Sequence, residues 1–150
     1  MLPSMTVPGP EGKPPPIRHL LETSLYVADP ERAQAFYQRL FGFPLLFADA
    51  RLSALALPGP GVLLLFRQDA FQKPARTPGG IIPPHGGSGP LHLCFAIAAT
   101  DLALWEARLL DLAIPLESRV SWPRGAESLY FRDPDRTLVE LATPGLWANF

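Results

Sequence analysis

The chain carries one hydrophobic pattern twice. Residues 22–28, Glu-Thr-Ser-Leu-Tyr-Val-Ala, alternate polar and apolar as a half-buried strand does, and a helical stretch then leads to Gly42-Phe43-Pro44-Leu45. Seventy positions later, residues 92–98, His-Leu-Cys-Phe-Ala-Ile-Ala, repeat the alternation, and a second helical stretch leads to Ala113-Ile114-Pro115-Leu116. In the first helix Asp29 is placed to cap the start, Pro30 suits the first helical position, and Gly42 suits a left-handed end. Its apolar side is Ala33, Phe36, Tyr37 and Leu40, spaced three and four apart. In the second helix Thr100 is the expected cap, and Leu102, Trp105, Leu109 and Leu112 form the stripe. Three short strand-like runs follow each helix, residues 45–50, 51–57 and 62–66 in the first half and 116–121, 128–131 and 137–142 in the second. The order is βαβββ twice, which predicts an α+β fold of two modules. Residues 17–66 are the first module and 91–150 the second with its C-terminal tail. Residues 1–16 read as a disordered or draped arm, and 67–90 as a Pro/Gly-rich linker that partly covers the site, packing through Phe71, Ile81 and Ile82.

Strand parity then decides which side chains share a face. Glu22 falls with Ser24 and Tyr26, His92 with Cys94 and Ala96, and Glu140 with Leu138 and Ala142. Two carboxylates and an imidazole thus sit among apolar neighbours in strands. A buried, unpartnered carboxylate costs several kcal/mol, so each group must be paired, protonated, solvated or bound to a cation. One metal ion satisfies all three. Any one of them alone reads as a solvated edge residue or, for His92, a satisfied core histidine rather than a ligand, and the joint placement carries the metal reading. His85 reads as a turn or capping residue, and Cys94 as a small thiol lining a cavity.

Composition narrows the function. Thirteen basic and 14 acidic side chains give a net charge of −1 with no basic run, so neither nucleic acid nor an anionic membrane is an expected partner. No apolar run approaches the ~20 residues of a membrane helix, and the N-terminal stretch has no signal-peptide core. Cys94 is the only cysteine, so no disulfide forms within the chain and a cytoplasmic setting is expected. At 150 residues the chain suffices for one domain's core.

The segment 21–33 (Leu-Glu-Thr-Ser-Leu-Tyr-Val-Ala-Asp-Pro-Glu-Arg-Ala), with Phe36-Tyr37 and Leu40-Phe41-Gly42-Phe43, resembles the opening module of the glyoxalase/bleomycin-resistance/dioxygenase, or vicinal oxygen chelate, superfamily. The segment 128–141 (Ser-Leu-Tyr-Phe-Arg-Asp-Pro-Asp-Arg-Thr-Leu-Val-Glu-Leu) is similar to its closing strand pair. The resemblance implies a curved mixed-sheet cup around a divalent metal (Mn, Zn, Ni, Co or Fe) held by Glu22, His92 and Glu140. It also implies a homodimer, since relatives often complete each cup with modules from two subunits. Leu64 stands where glyoxalase I has a fourth ligand, Glu22 stands where extradiol dioxygenases have histidine, and Arg136-Thr137 replaces a glycine-containing turn. The expectation is a metal-dependent lyase or isomerase acting on a small substrate with vicinal oxygens. The alternatives are an extradiol-type dioxygenase and a metal-free antibiotic-sequestering protein. Glu140, Tyr130 and Arg124 are the candidate catalytic residues, and Tyr26, Phe66 and Trp122 the substrate-facing walls.

Overall fold

The computed structural model describes residues 13–150, so residues 1–12 of the expected arm lie outside the described residues. The first module comprises β1 (Glu22–Val27), α1 (Pro30–Phe41), β2 (Leu45–Ala48), β3 (Leu52–Ala56) and β4 (Val62–Arg67). Its sheet runs β1-β4-β3-β2, with β1 and β4 parallel and the other pairs antiparallel. The connection holds a hairpin, β5 (Ala75–Thr77) and β6 (Gly80–Ile82), where the pattern gave only linker. The second module repeats the first: β7 (His92–Ala96), α2 (Leu102–Asp111), β8 (Ser118–Ser121), β9 (Glu127–Arg132) and β10 (Leu138–Ala142), in the order β7-β10-β9-β8.

Local chemistry sets the first helix as expected. Asp29 accepts the backbone N–H of Glu31 at 3.0 Å and of Arg32 at 3.4 Å, and Gly42 closes the helix at φ 73°. The second helix differs. A 3₁₀ turn, Ala99–Asp101, precedes α2, and no side chain, Thr100 included, caps either element. Ala113 stands where the repeat has Gly42 and adopts φ 56°, a conformation costing a non-glycine residue about 1–2 kcal/mol.

Both sheets give one face to a shared core. Leu25, Val27, Leu63 and Leu65 from the first and Leu129, Phe131, Val139 and Leu141 from the second join Tyr37, Leu40 and Leu109 of the helices. Polar contacts lock this docking. The buried Tyr37 hydroxyl donates to Asp133 Oδ2 at 2.8 Å, while Asp133 Oδ1 accepts the N–H groups of Asp135 and Thr137. Arg108 of α2 donates to the carbonyls of Leu40 and Arg39 at the end of α1. The Asp-Pro-Asp turn therefore joins one module to the other. Because alternate residues of a strand point oppositely, the faces bearing Glu22 and Glu140 turn away from the common core.

Candidate functional site

On β10, Glu140 lies opposite Cys94 of β7 and Tyr130 of β9. Its residue is only 5% exposed, so its charge requires partners. Oε1 has two of them: Ser128 Oγ donates at 2.6 Å and Tyr130 OH at 2.9 Å. Trp122 Nε1 donates in turn to Ser128 Oγ at 2.9 Å, so an ordered chain of donors ends on one carboxylate oxygen. The other oxygen, Oε2, lies 3.1 Å from His92 Nε2.

The imidazole fixes the meaning of that contact. His92 Nδ1 is 2.9 Å from the Leu138 carbonyl, an acceptor only, so Nδ1 carries a hydrogen. In the neutral ring the Nε2 lone pair then faces Oε2. Two acceptors at that separation call for a proton or a cation between them. This donor set, an imidazole and a carboxylate oriented by outer partners, fits a divalent metal ion.

The neighbouring groups stay protonated. Partial desolvation, with the Glu140 charge second, pushes the Cys94 thiol up to about 12, so it is no thiolate nucleophile at neutral pH. Cys94 lines a cavity of about 280 Å³ with Leu146 and Trp147 of the tail, as its small side chain suggests, although the residue is exposed rather than buried. Desolvation and Glu140 likewise raise the Tyr130 phenol, which remains a donor. Arg124 donates to the carbonyls of Gly145 and Leu146 at 3.2 Å and so holds the start of the tail.

The first module presents its own concavity, about 470 Å³, on the equivalent face. Glu22, Tyr26, Leu64 and Phe66 line it, and the Tyr26 and Phe66 rings stack at 5.8 Å. The registers of the two modules match. Leu64 lies opposite Ser24 as Glu140 lies opposite Cys94, and Ala54 neighbours Leu64 as Tyr130 neighbours Glu140.

The structure thus brings His92, Glu140 and Tyr130 together, with Trp122 behind them. Glu22, Tyr26 and Phe66 gather separately. Among the described residues no three His, Cys, Asp or Glu side chains of one chain converge to hold a metal. Sequence reasoning missed two participants. Ser128 was visible only as a strand residue two positions from Tyr130, and His85, expected in a turn, lines the first cavity.

Residues 17–141 match the family model of the Glyoxalase/Bleomycin resistance protein/Dioxygenase superfamily. A lactoylglutathione lyase from Agrobacterium tumefaciens is similar at 33% identity over 89% of this chain and 98% of that one, with a TM-score of 0.79. The fosfomycin resistance protein FosX of Listeria monocytogenes shares the fold at 21% identity over 87% of this chain and 96% of that one, with a TM-score of 0.64. TioX from Micromonospora shares it at 20% over 84% and 98%, with a TM-score of 0.65. No curated protein matches the sequence at comparable significance.

Proposed function

Given that the chain belongs to the glyoxalase/bleomycin resistance protein/dioxygenase superfamily, we propose that it is a divalent-metal-dependent lyase or isomerase of the glyoxalase type, acting on a small substrate with vicinal oxygens. The observation that carries this reading is the acceptor pair: His92 Nε2 held 3.1 Å from Glu140 Oε2, with the far atom of each group already committed. His92 and Glu140 of one chain and Glu22 from a second copy would hold the metal, whose service is to polarise adjacent substrate oxygens. The similarity to a lactoylglutathione lyase supports the lyase branch.

The chain's own groups divide the remaining work. Glu140 Oε2, the oxygen that takes no hydrogen bond from Ser128 or Tyr130, is the atom that would hold the metal and, when released from it, would take a substrate proton. Tyr130, kept protonated, gives its one O–H hydrogen to Glu140 Oε1 and so orients that carboxylate. Tyr26 and Phe66 form apolar walls, Trp122 steadies Ser128, and Arg124 orders the tail beside Cys94.

A homodimer completes this site. Glu22 and the His92–Glu140 pair lie on faces that one chain turns away from its core, which supports a cup completed by Glu22 of a second copy. No described helix is long and apolar enough to cross a membrane, and the single cysteine suits a cytoplasmic setting. Dioxygenase chemistry is disfavoured because its expected facial triad has two histidines. The test is elemental analysis after dialysis against mixed Mn, Zn, Ni and Co. The proposal expects close to one metal per chain in wild type and none in His92→Ala. A metal-free wild type supports antibiotic sequestration instead.

A further inference from the structure

The connection between the modules is fitted to the first cavity. The His85 N–H donates to the Phe71 carbonyl at 2.9 Å, and the imidazole stacks on the Phe71 ring with centroids 5.0 Å apart and 19° between planes. The Phe66 ring meets the same imidazole at 4.7 Å in an edge arrangement. Two residues on, Gly87 packs against Tyr26 so closely that a Cβ there would lie 2.7 Å from the ring's Cδ2. Only a residue without a side chain allows that approach.

Inside this wall one polar contact stands out from its aromatic and aliphatic surroundings. Tyr26 OH and His85 Nδ1 are 2.7 Å apart, bridging 59 positions of sequence. Backbone and stacking contacts already hold the loop, so its position does not depend on this bond alone. Its chemistry is two-sided. If the phenol donates to Nδ1, the ring's hydrogen sits on Nε2; if Nδ1 donates to the phenol oxygen, Nε2 becomes an acceptor. Nε2 has no hydrogen-bond partner among the described residues, and His85 lines the cavity with Glu22. Exchange between the two forms lets one imidazole serve either a carbonyl or a hydroxyl oxygen.

We infer that His85 is a substrate-binding residue of this cup, its ring fixed by Tyr26, and that it hydrogen-bonds an oxygen of a ring-containing substrate whose ring lies against Phe66 and Phe71. The assignment rests on the reading of the cup as a substrate site. Its test does not rest on the metal.

The probe is α-hydroxyacetophenone, an uncharged ring compound with vicinal oxygens. Its affinity is measured by equilibrium dialysis against metal-stripped and manganese-treated protein. His85→Phe keeps the stacking and removes the hydrogen bond, and it is expected to weaken binding about tenfold in both arms, equivalent to ~1.4 kcal/mol. Tyr26→Phe frees the imidazole ring and weakens binding by a smaller factor, about threefold. His85→Gln restores a side-chain amide near Nε2 and recovers part of the loss. Urea midpoints and manganese retention stay at wild-type values in all three. Binding within twofold of wild type in His85→Phe overturns the inference, as does a wild type that binds the probe in neither arm. Should the wild type retain no manganese, the metal-enzyme reading fails by itself, and the metal-stripped arm still decides the role of His85.

Discussion

Replacing Leu64 by glutamate tests the repeat register and the energetics of the cup together. Glu140 tolerates its buried position because Ser128 and Tyr130 donate O–H groups to Oε1. Pairing across the first sheet shows what Leu64→Glu would meet instead: Ala54 stands in Tyr130's place and Leu52 in Ser128's. Neither donates. With Ser24 across the parallel pairing as its near donor and the Glu22 carboxylate lining the same cavity, the new half-buried carboxylate is poorly compensated at a cost of about 1–3 kcal/mol, and its pKa rises above the unfolded value of about 4.3. A carboxyl raised in the folded state imposes no cost below its unfolded pKa, and stability is lost as pH rises through the folded one. The metal-free Leu64→Glu protein should therefore unfold in urea with a deficit of about 1–3 kcal/mol at pH 8 that shrinks at pH 5. At one fixed manganese concentration, a hundred times the variant's dissociation constant returns about 2.7 kcal/mol to it, while wild type, lacking the fourth oxygen and binding more weakly, gains less, so the deficit between the two should narrow on loading. Protein concentration is held constant, because the stability of the proposed dimer would depend on it. A pH-independent deficit below about 0.5 kcal/mol, with unchanged manganese retention, would show that Leu64 does not face a water-poor cup and would break the correspondence between the modules.

Ser128→Ala removes one of the two donors to Glu140 and the acceptor of Trp122 Nε1, so metal affinity should fall about 10–100-fold in a dialysis titration with little change in the far-ultraviolet dichroism spectrum. Retention within twofold would show that Tyr130 orients the carboxylate alone. Tyr37→Phe leaves buried Asp133 Oδ2 without its donor and should cost about 1–3 kcal/mol in urea at pH 7. Burial, with Asp133 second, raises the Tyr37 phenol well above its ordinary 10.0, so the folded state keeps a proton that the unfolded state releases. Stability is then lost as pH rises past about 10, and Tyr37→Phe should lose less over pH 9–11 than wild type does; parallel pH profiles would contradict the assignment.

The repeat, the caps of α1 and the shared parity of Glu22, His92, Leu64 and Glu140 were legible because period-two alternation survives in single strands and each residue's face follows from counting. What the pattern lacks is tertiary reach. The separation of Glu22 from His92 follows from how the modules dock, through Tyr37 to Asp133 across 96 positions and Arg108 to Leu40 across 68, polar contacts that no periodicity marks. His85 was unreadable for a similar reason, since a Pro/Gly-rich stretch has no period and its partner Tyr26 lies 59 residues away. The strands β5 and β6, three residues each, are too short to show alternation. Arg136, noted in the sequence for replacing a glycine-containing turn, indeed takes φ 69°, a conformation glycine would adopt without strain.

Metal content of a mixed dimer tests the shared site most directly. Glu22→Ala and His92→Ala chains, carrying different affinity tags, are refolded together, and the doubly tagged hybrid is isolated and dialysed against manganese. If each site draws Glu22 from one chain and His92 with Glu140 from the other, one site in the hybrid combines both lesions and the other has none. The expected result is one manganese ion per hybrid dimer and about none for either parent. A hybrid as empty as its parents, beside a metal-loaded wild type, would place all three ligands within one chain and contradict the shared site.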